Sequence, residues 1–205
     1  RPADRDRLWH ANGEAARAAA EDLSPLVQAL AEEGHVASTE LLPSARVLVV
    51  TGDAAARDRL AEAEGVLGVQ ANRRHRLPDD RLDVPVAAAR ADHLERVNAS
   101  DAWRLGATGA GALVGILDSG VDWRHPALAP GYRGRDGRHD HAWADLGGGG
   151  RGSREPFDPN GHGTHVAGLA VGQGDEGALG VAPGAEWLAV RVFDDRGETT
   201  DLALL

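Results

Sequence analysis

Residues 113–118, Leu-Val-Gly-Ile-Leu-Asp, form a short apolar run that stops at a carboxylate and a Ser119-Gly120 turn. Such a run, bounded by turn residues, reads as a buried strand. Further along, a helix of small residues begins near Gly163 and runs to about Val171, and a second apolar run covers Trp187–Phe193. Strand, helix, strand is the βαβ order of a parallel sheet. That order constrains the chain more than any other feature, and it predicts an α/β fold.

The first part of the chain follows a different plan. Residues 14–33 are rich in Ala and Glu and read as helix, with Pro25 marking a kink or a break and Gly34 a stop. Strands are expected at Val36–Leu41 and at Arg46–Val50, whose β-branched run suggests burial. Gly52-Asp53 opens a helix over Ala54–Ala63, and Val66–Gln70 reads as another strand. The order α-β-β-α-β is a ferredoxin-like α+β plan without its first strand. Residues 77–90 carry Pro78 and Pro85 and lose all periodicity, which sets a domain boundary there. Helix is expected to resume over Ala91–Leu105, and residues 130–161 read as one long polar loop.

Composition excludes several classes. Hydrophobic residues make up 42% of the 205 positions, enough for a core. The net charge of −10 argues against a nucleic-acid surface, and the one basic run, Arg73-Arg74-His75-Arg76, reads as a solvated linker or strand end. No apolar run approaches the ~20 residues of a membrane helix, so no membrane partner is expected. The absence of Cys removes disulfides and thiolate metal sites. Arg1 opens a charged stretch and not a signal peptide.

The chemistry centres on two residues. Asp118 stands at the carboxyl end of its strand, where catalysis collects in doubly wound sheets, although a carboxylate capping the next turn is an equally common arrangement. His162 lies in Asn160-Gly-His-Gly-Thr-His-Val-Ala-Gly168, in the first turn of its helix, at the positive end of the helix dipole. His165, three residues on, reads as structural, because a helical metal pair normally uses i, i+4 spacing plus a third ligand. Gly106, Gly109 and Gly111 precede a strand, whereas a dinucleotide-binding loop must follow one.

Taken together, Val114-Gly-Ile-Leu-Asp118-Ser-Gly-Val-Asp-Trp-Arg-His-Pro126, the His162 string and Leu179-Gly-Val-Ala-Pro-Gly-Ala185 resemble the motifs of the subtilases, the subtilisin-like serine proteases. The resemblance covers roughly residues 91–205. The insert with Tyr132-Arg-Gly134 and His141-Ala-Trp143 is similar to the bacillopeptidase F-like branch, and residues 14–77 resemble the family's inhibitory propeptide.

The resemblance implies a serine endopeptidase precursor with an Asp-His-Ser triad, in the chain order familiar for subtilisin. Asp118 and His162 would be catalytic, and the Ser and the oxyanion Asn would lie beyond Leu205, so this chain alone would be inactive. The implied organisation is a propeptide at 1–77, a linker with a processing site at 78–90, and the first, incomplete part of the catalytic domain at 91–205. Phe193, Gly197, Glu198 and Thr199 would bind polypeptide substrate, the alternative for Phe193 being a core aromatic. The tail Asn72–Leu77 would lie extended against Gly197–Thr199 and make the propeptide a partner of its own catalytic domain. The rival reading is an inactive, inhibitor-like binding module.

No cofactor is required by such a mechanism. The family's strong calcium site takes a carboxylate where Ala127 stands here, and the Gly172–Gly177 loop looks shortened, which argues against calcium there. Asp136, Asp140 and Asp145 read as a solvated loop and not as a metal site, so no metal residues are assigned. By resemblance the protein is expected to be a secreted or extracellular bacterial enzyme.

Overall fold

A computed structural model describes residues 2–78, 92–147, 152–174 and 177–205. The chain divides into two compact units, Arg1–Ala71 and Asn72–Leu205.

In the first unit a single helix, α1 (Pro2–Glu32), runs through Pro25 without a break. Pro25 and Glu21 lie on the exposed face, so the carbonyl that loses its partner there is open to water. The helix ends where the His35 amide donates back to the Leu30 carbonyl at 2.8 Å, closing over Gly34. The hairpin of β1 (Val36–Leu42) and β2 (Val47–Gly52) is antiparallel, pairing Leu42 with Val47 and Val36 with Gly52. β2 is half-buried and exposed at its end, not the buried strand its β-branched run suggested. Asp53 caps α2 (Ala54–Ala61), accepting from the amides of Ala55 and Ala56.

The core here is small: Leu30, Val36, Ala56 and Leu60, with Leu26, Val27 and Val50 against it. The strand expected at Val66–Gln70 does not form. Those residues pair with no strand among the described residues, and the Leu67 side chain is fully exposed. Gly68 interrupts the run and nothing on either edge of the hairpin meets it, so the ferredoxin-like order is incomplete.

The second unit opens with β3 (Arg74–Arg76). The helix expected over Ala91–Leu105 is two short ones, α3 (Asp92–Arg96) and α4 (Ala99–Arg104), because Asn98 adopts a left-handed φ of 53°. Ala91 itself and the processing stretch 79–90 lie outside the described residues.

The central sheet holds β4 (Leu113–Asp118), β5 (Trp143–Asp145) and a long strand, Glu186–Arg191, numbered β8 in chain order. All are parallel, in the order β4-β8-β5. β5 was not expected within the polar loop. Helix α5 (His162–Val171) links β5 to β8, followed by a tight antiparallel pair, β6 (Gln173–Gly174) with β7 (Gly177–Ala178). β9 (Glu198–Thr200) ends the strand order, before a 3₁₀ turn at Asp201–Leu204.

Alternation along β4 buries Ile116 and Asp118 and leaves Leu113 and Leu117 exposed. The core on the buried side is built around Trp187 and Tyr132, with Ile116, Val121, Leu128, Ala167 and Val171. Trp187 donates its indole N–H to the Leu128 carbonyl at 2.9 Å, which satisfies its one polar atom in an otherwise apolar setting.

Candidate active site

Asp118 is the last residue of β4, at the carboxyl end of the parallel sheet, and only 7% exposed. Its carbonyl accepts from the Val192 amide at 2.8 Å, which ties the strand end to the chain leaving β8. Its carboxylate Oδ1 accepts from the Ser119 amide at 2.7 Å and lies 2.7 Å from Nδ1 of His162. The imidazole is partly exposed, so one ring edge faces the buried carboxylate while the ring keeps access to solvent.

His162 is the first residue of α5. The helix reaches Asp118 because Gly163 has no side chain: a Cβ there would collide with the Gly120 carbonyl oxygen and stand 2.9 Å from Asp118 Cβ. Gly120 is under a matching demand, since its φ of 118° is left-handed and a Cβ would run into the Phe157 carbonyl. The two glycines let the strand end and the helix start approach within hydrogen-bond range.

A carboxylate that the sequence reading passed over holds this junction. Asp158 Oδ1 accepts from Ser119 Oγ at 2.9 Å and from the amides of Asn160 and Gly161, while Oδ2 accepts from the Thr164 amide and hydroxyl. Ser119 Oγ in turn accepts from the Gly163 amide at 3.0 Å, and the Thr164 hydroxyl oxygen accepts from the Asp122 amide. Orphan N–H groups at the start of α5 are thereby satisfied by side chains. An Asp four residues before the candidate His, just ahead of a helix start, is the sequence signal that marks it.

The remaining candidates fall into two groups. Gly197 and Thr199 are buried and Glu198 is half-buried, in a turn held by Asp194, whose carboxylate accepts from the Arg196 and Glu198 amides. β9 pairs antiparallel with β3: Arg74 opposite Thr200, His75 opposite Thr199, Arg76 opposite Glu198. The Leu77 amide extends the ladder to the Gly197 carbonyl at 2.9 Å. The basic run is therefore a strand laid along the expected substrate edge. Phe193 is half-buried, its amide directed at the Asp118 carbonyl at 3.4 Å. His165, read from the sequence as structural, is exposed.

The acidic insert is occupied by its own neighbours. Asp136 bonds Arg138, and Asp145 is buried against Arg191 at 2.9 Å while accepting from the Gly147 and Ser153 amides. Among the described residues no three His, Asp or Glu side chains gather as a metal site.

Residues 109–204 match the profile of the Subtilase family. This part of the chain is similar to the subtilases. The chain is 39% identical over 115 residues to bacillopeptidase F of Bacillus subtilis, covering 52% of this chain and 8% of that protein. It is 36% identical over 118 residues to thermitase of Thermoactinomyces vulgaris, covering 57% of this chain and 38% of the relative. It is 38% identical over 119 residues to the minor extracellular protease Vpr of Bacillus subtilis, 53% of this chain and 13% of that one. The chain thus spans less than half the length of each of these relatives. The parallel sheet of the second unit is consistent with the subtilase fold.

Proposed function

We propose that this chain is the front portion of a serine endopeptidase precursor that hydrolyses peptide bonds in polypeptides. The observation that carries the reading is the 2.7 Å contact between His162 Nδ1 and the buried Asp118 carboxylate at the end of a parallel strand. With Nδ1–H donated to Asp118, Nε2 is left as the proton acceptor. A serine supplied by sequence following Leu205 attacks the scissile carbonyl carbon, and its hydroxyl proton passes to His162 Nε2. The C–N bond then breaks, and His162 returns that proton to the leaving amine. Water repeats the sequence on the acyl-enzyme and restores the serine. Asp118 keeps the ring in the required tautomer and stabilises its protonated form during each transfer.

β9 is the edge on which substrate lies, since main-chain pairing to an exposed strand accepts many sequences. In the precursor the Asn72–Leu77 segment fills that edge, which supports reading residues 1–77 as an inhibitory propeptide and 78–90 as the linker to be cut. The enzyme works outside the cell, without a cofactor.

The test uses the protein extended through its serine motif, with turnover followed on casein and a chromogenic peptide. His162→Ala and Asp118→Asn are each expected to lower kcat by about 10⁴-fold, with melting little changed. His165→Ala, at an exposed position, should leave kcat within about twofold, as surface changes shift stability by only about 0.5 kcal/mol. Equal losses from His162→Ala and His165→Ala would remove the assignment.

A further inference from the structure

The carboxyl edge of the central sheet carries a row of buried charges. In register, Asp118 of β4 stands beside Arg191 of β8, and Arg191 beside Asp145 of β5. In-register neighbours on parallel strands point to the same face, and adjacent strands lie only about 4.8 Å apart. Asp118 is 7% exposed and Arg191 2%, so this guanidinium has a carboxylate on each flanking strand. It is bonded to one of them. Arg191 Nη1 donates to Asp145 Oδ1 at 2.9 Å, with both side chains buried, while Asp118 meets His162 and the Ser119 amide. Asp145 is itself held in place: Oδ1 also accepts from the Gly147 amide at 3.2 Å, and Oδ2 from the Ser153 amide at 2.8 Å. Gly147 crosses over the guanidinium, where a Cβ would stand 3.1 Å from Arg191 Cζ and collide with the Phe193 carbonyl oxygen. The Phe157 ring lies 4.9 Å from Cζ, and Asp195 accepts from Nη2. Asp195 is 77% exposed, so water weakens its pull and Asp145 decides where the charge sits. Among the described residues the buried Nε of Arg191 meets no acceptor.

We propose that Asp145 is a positioning residue that withholds Arg191 from Asp118 and so leaves the Asp118 charge to His162. This rests on the reading of Asp118 and His162 as a proton-transfer pair. A buried guanidinium that loses its partner is an uncompensated charge, and the neighbouring carboxylate in the same row is Asp118. A guanidinium fork takes a carboxylate in two parallel bonds, which would turn Asp118 away from the imidazole. Its positive charge would also oppose the charge that the imidazole gains in each transfer. Asp145, oriented by two amides, removes both effects by holding the cation on the far side of β8.

The test is kinetic, on the protein extended through its serine motif, with kcat counted per titrated active site. Asp145→Asn keeps the shape of the side chain and loses its charge. Its kcat should fall about tenfold or more with KM little changed, and the acid limb of kcat/KM should move to lower pH. Adding Arg191→Met, which leaves no cation to stray, should return kcat to within about threefold of native and restore the limb. A purely structural Asp145 would lower the melting temperature and the active fraction, with kcat per site and the acid limb unmoved, and that result would overturn the proposal. Should Asp145→Asn fail to fold, Asp145→Asn/Arg191→Lys takes its place, because a buried amine can shed its proton. It should turn over more slowly than Asp145→Asn/Arg191→Met, the gap widening toward low pH; equal rates at every pH would overturn the role of Asp145. His162→Ala in the same assay keeps the two readings apart. Turnover lost there, with native kcat in Asp145→Asn, removes the Asp145 proposal alone, whereas turnover that survives His162→Ala removes the proton-transfer pair on which it rests.

Discussion

The Ser119 hydroxyl donates to Asp158 at 2.9 Å and accepts from the Gly163 amide at 3.0 Å, so one side chain joins the end of β4 to the start of α5. Ser119 is fully buried, which removes it from any part in attacking a substrate. Its place is between the carboxylate-bearing strand and the imidazole-bearing helix. The relative position of Asp118 and His162 is therefore set by a polar lock as well as by apolar packing. Buried polar networks of this kind specify geometry when every member is satisfied, and Asp158 supplies acceptors to five donors.

From this follows an effect at a residue that does not touch the imidazole. In the full-length enzyme Asp158→Ala should lower kcat by about tenfold or more, since misplacement of a catalytic group by about 1 Å is costly, while KM changes little. Asp158→Asn, which keeps one acceptor oxygen, should fall between Ala and the native protein. Steady-state kinetics beside thermal melts would separate positioning from folding. A fall in melting temperature with kcat intact would make Asp158 a stability residue only.

The environment of Tyr132 gives a second expectation. It is the only tyrosine in the chain, wholly buried, with its ring 4.6 Å from that of Trp187 and its hydroxyl 3.1 Å from His139 Nδ1. Burial, aided by the Glu155 charge, pushes the phenol from 10.0 up to about 12. Above pH 10 the unfolded chain releases this proton and the folded chain keeps it, so the folded state loses stability as pH rises through that window. Below pH 10 the phenol is neutral in both states and its contribution is fully present. The loss is on the order of 2 to 3 kcal/mol by pH 12. Ultraviolet titration of the phenolate, which reports this one residue, should show a midpoint well above 10. Urea melts of Tyr132→Phe should lose this part of the alkaline slope. A phenol titrating at its ordinary value in the folded chain would count against the buried setting.

Much of the site was legible because its signals are local. The strand ending at Asp118 and the helix starting at His162 are each written in a few consecutive residues, and the structure brings the two side chains together. The expected pairing of the Asn72–Leu77 tail with Gly197–Thr199 is present, with the paired strand reaching Thr200. What escaped the sequence depends on partners distant along the chain. β5 is three residues within a polar loop and exists because β8 offers it an edge. Val66–Gln70 has strand composition and no edge to join. Pro25 should break a helix by its own chemistry, yet it sits where the lost bond faces water. Asn98 interrupts the expected helix at a position where composition gave no warning, taking the left-handed conformation that Asn tolerates better than most residues.

The last expectation concerns processing. The strand Arg74–Arg76 is held on β9 and the Leu77 amide bonds the Gly197 carbonyl, the last ladder bond among the described residues of this segment. If this segment lies on the substrate edge as a product would, the bond to be cut follows Leu77. Self-cleavage in the full-length protein is accordingly expected between Leu77 and Ala91. The released segment would remain on β9 as a slowly leaving product, because its backbone pairs and the contacts at Asp201 persist after the bond is broken. Intact-mass measurement with N-terminal sequencing of the full-length protein after activation would locate the new terminus. His162→Ala should leave the precursor uncut, and Asp201→Asn should release the cut segment faster, seen as a shorter lag before turnover. A mature terminus upstream of Val66 or downstream of Asp101 would defeat both the boundary and the inhibitory role given to the tail.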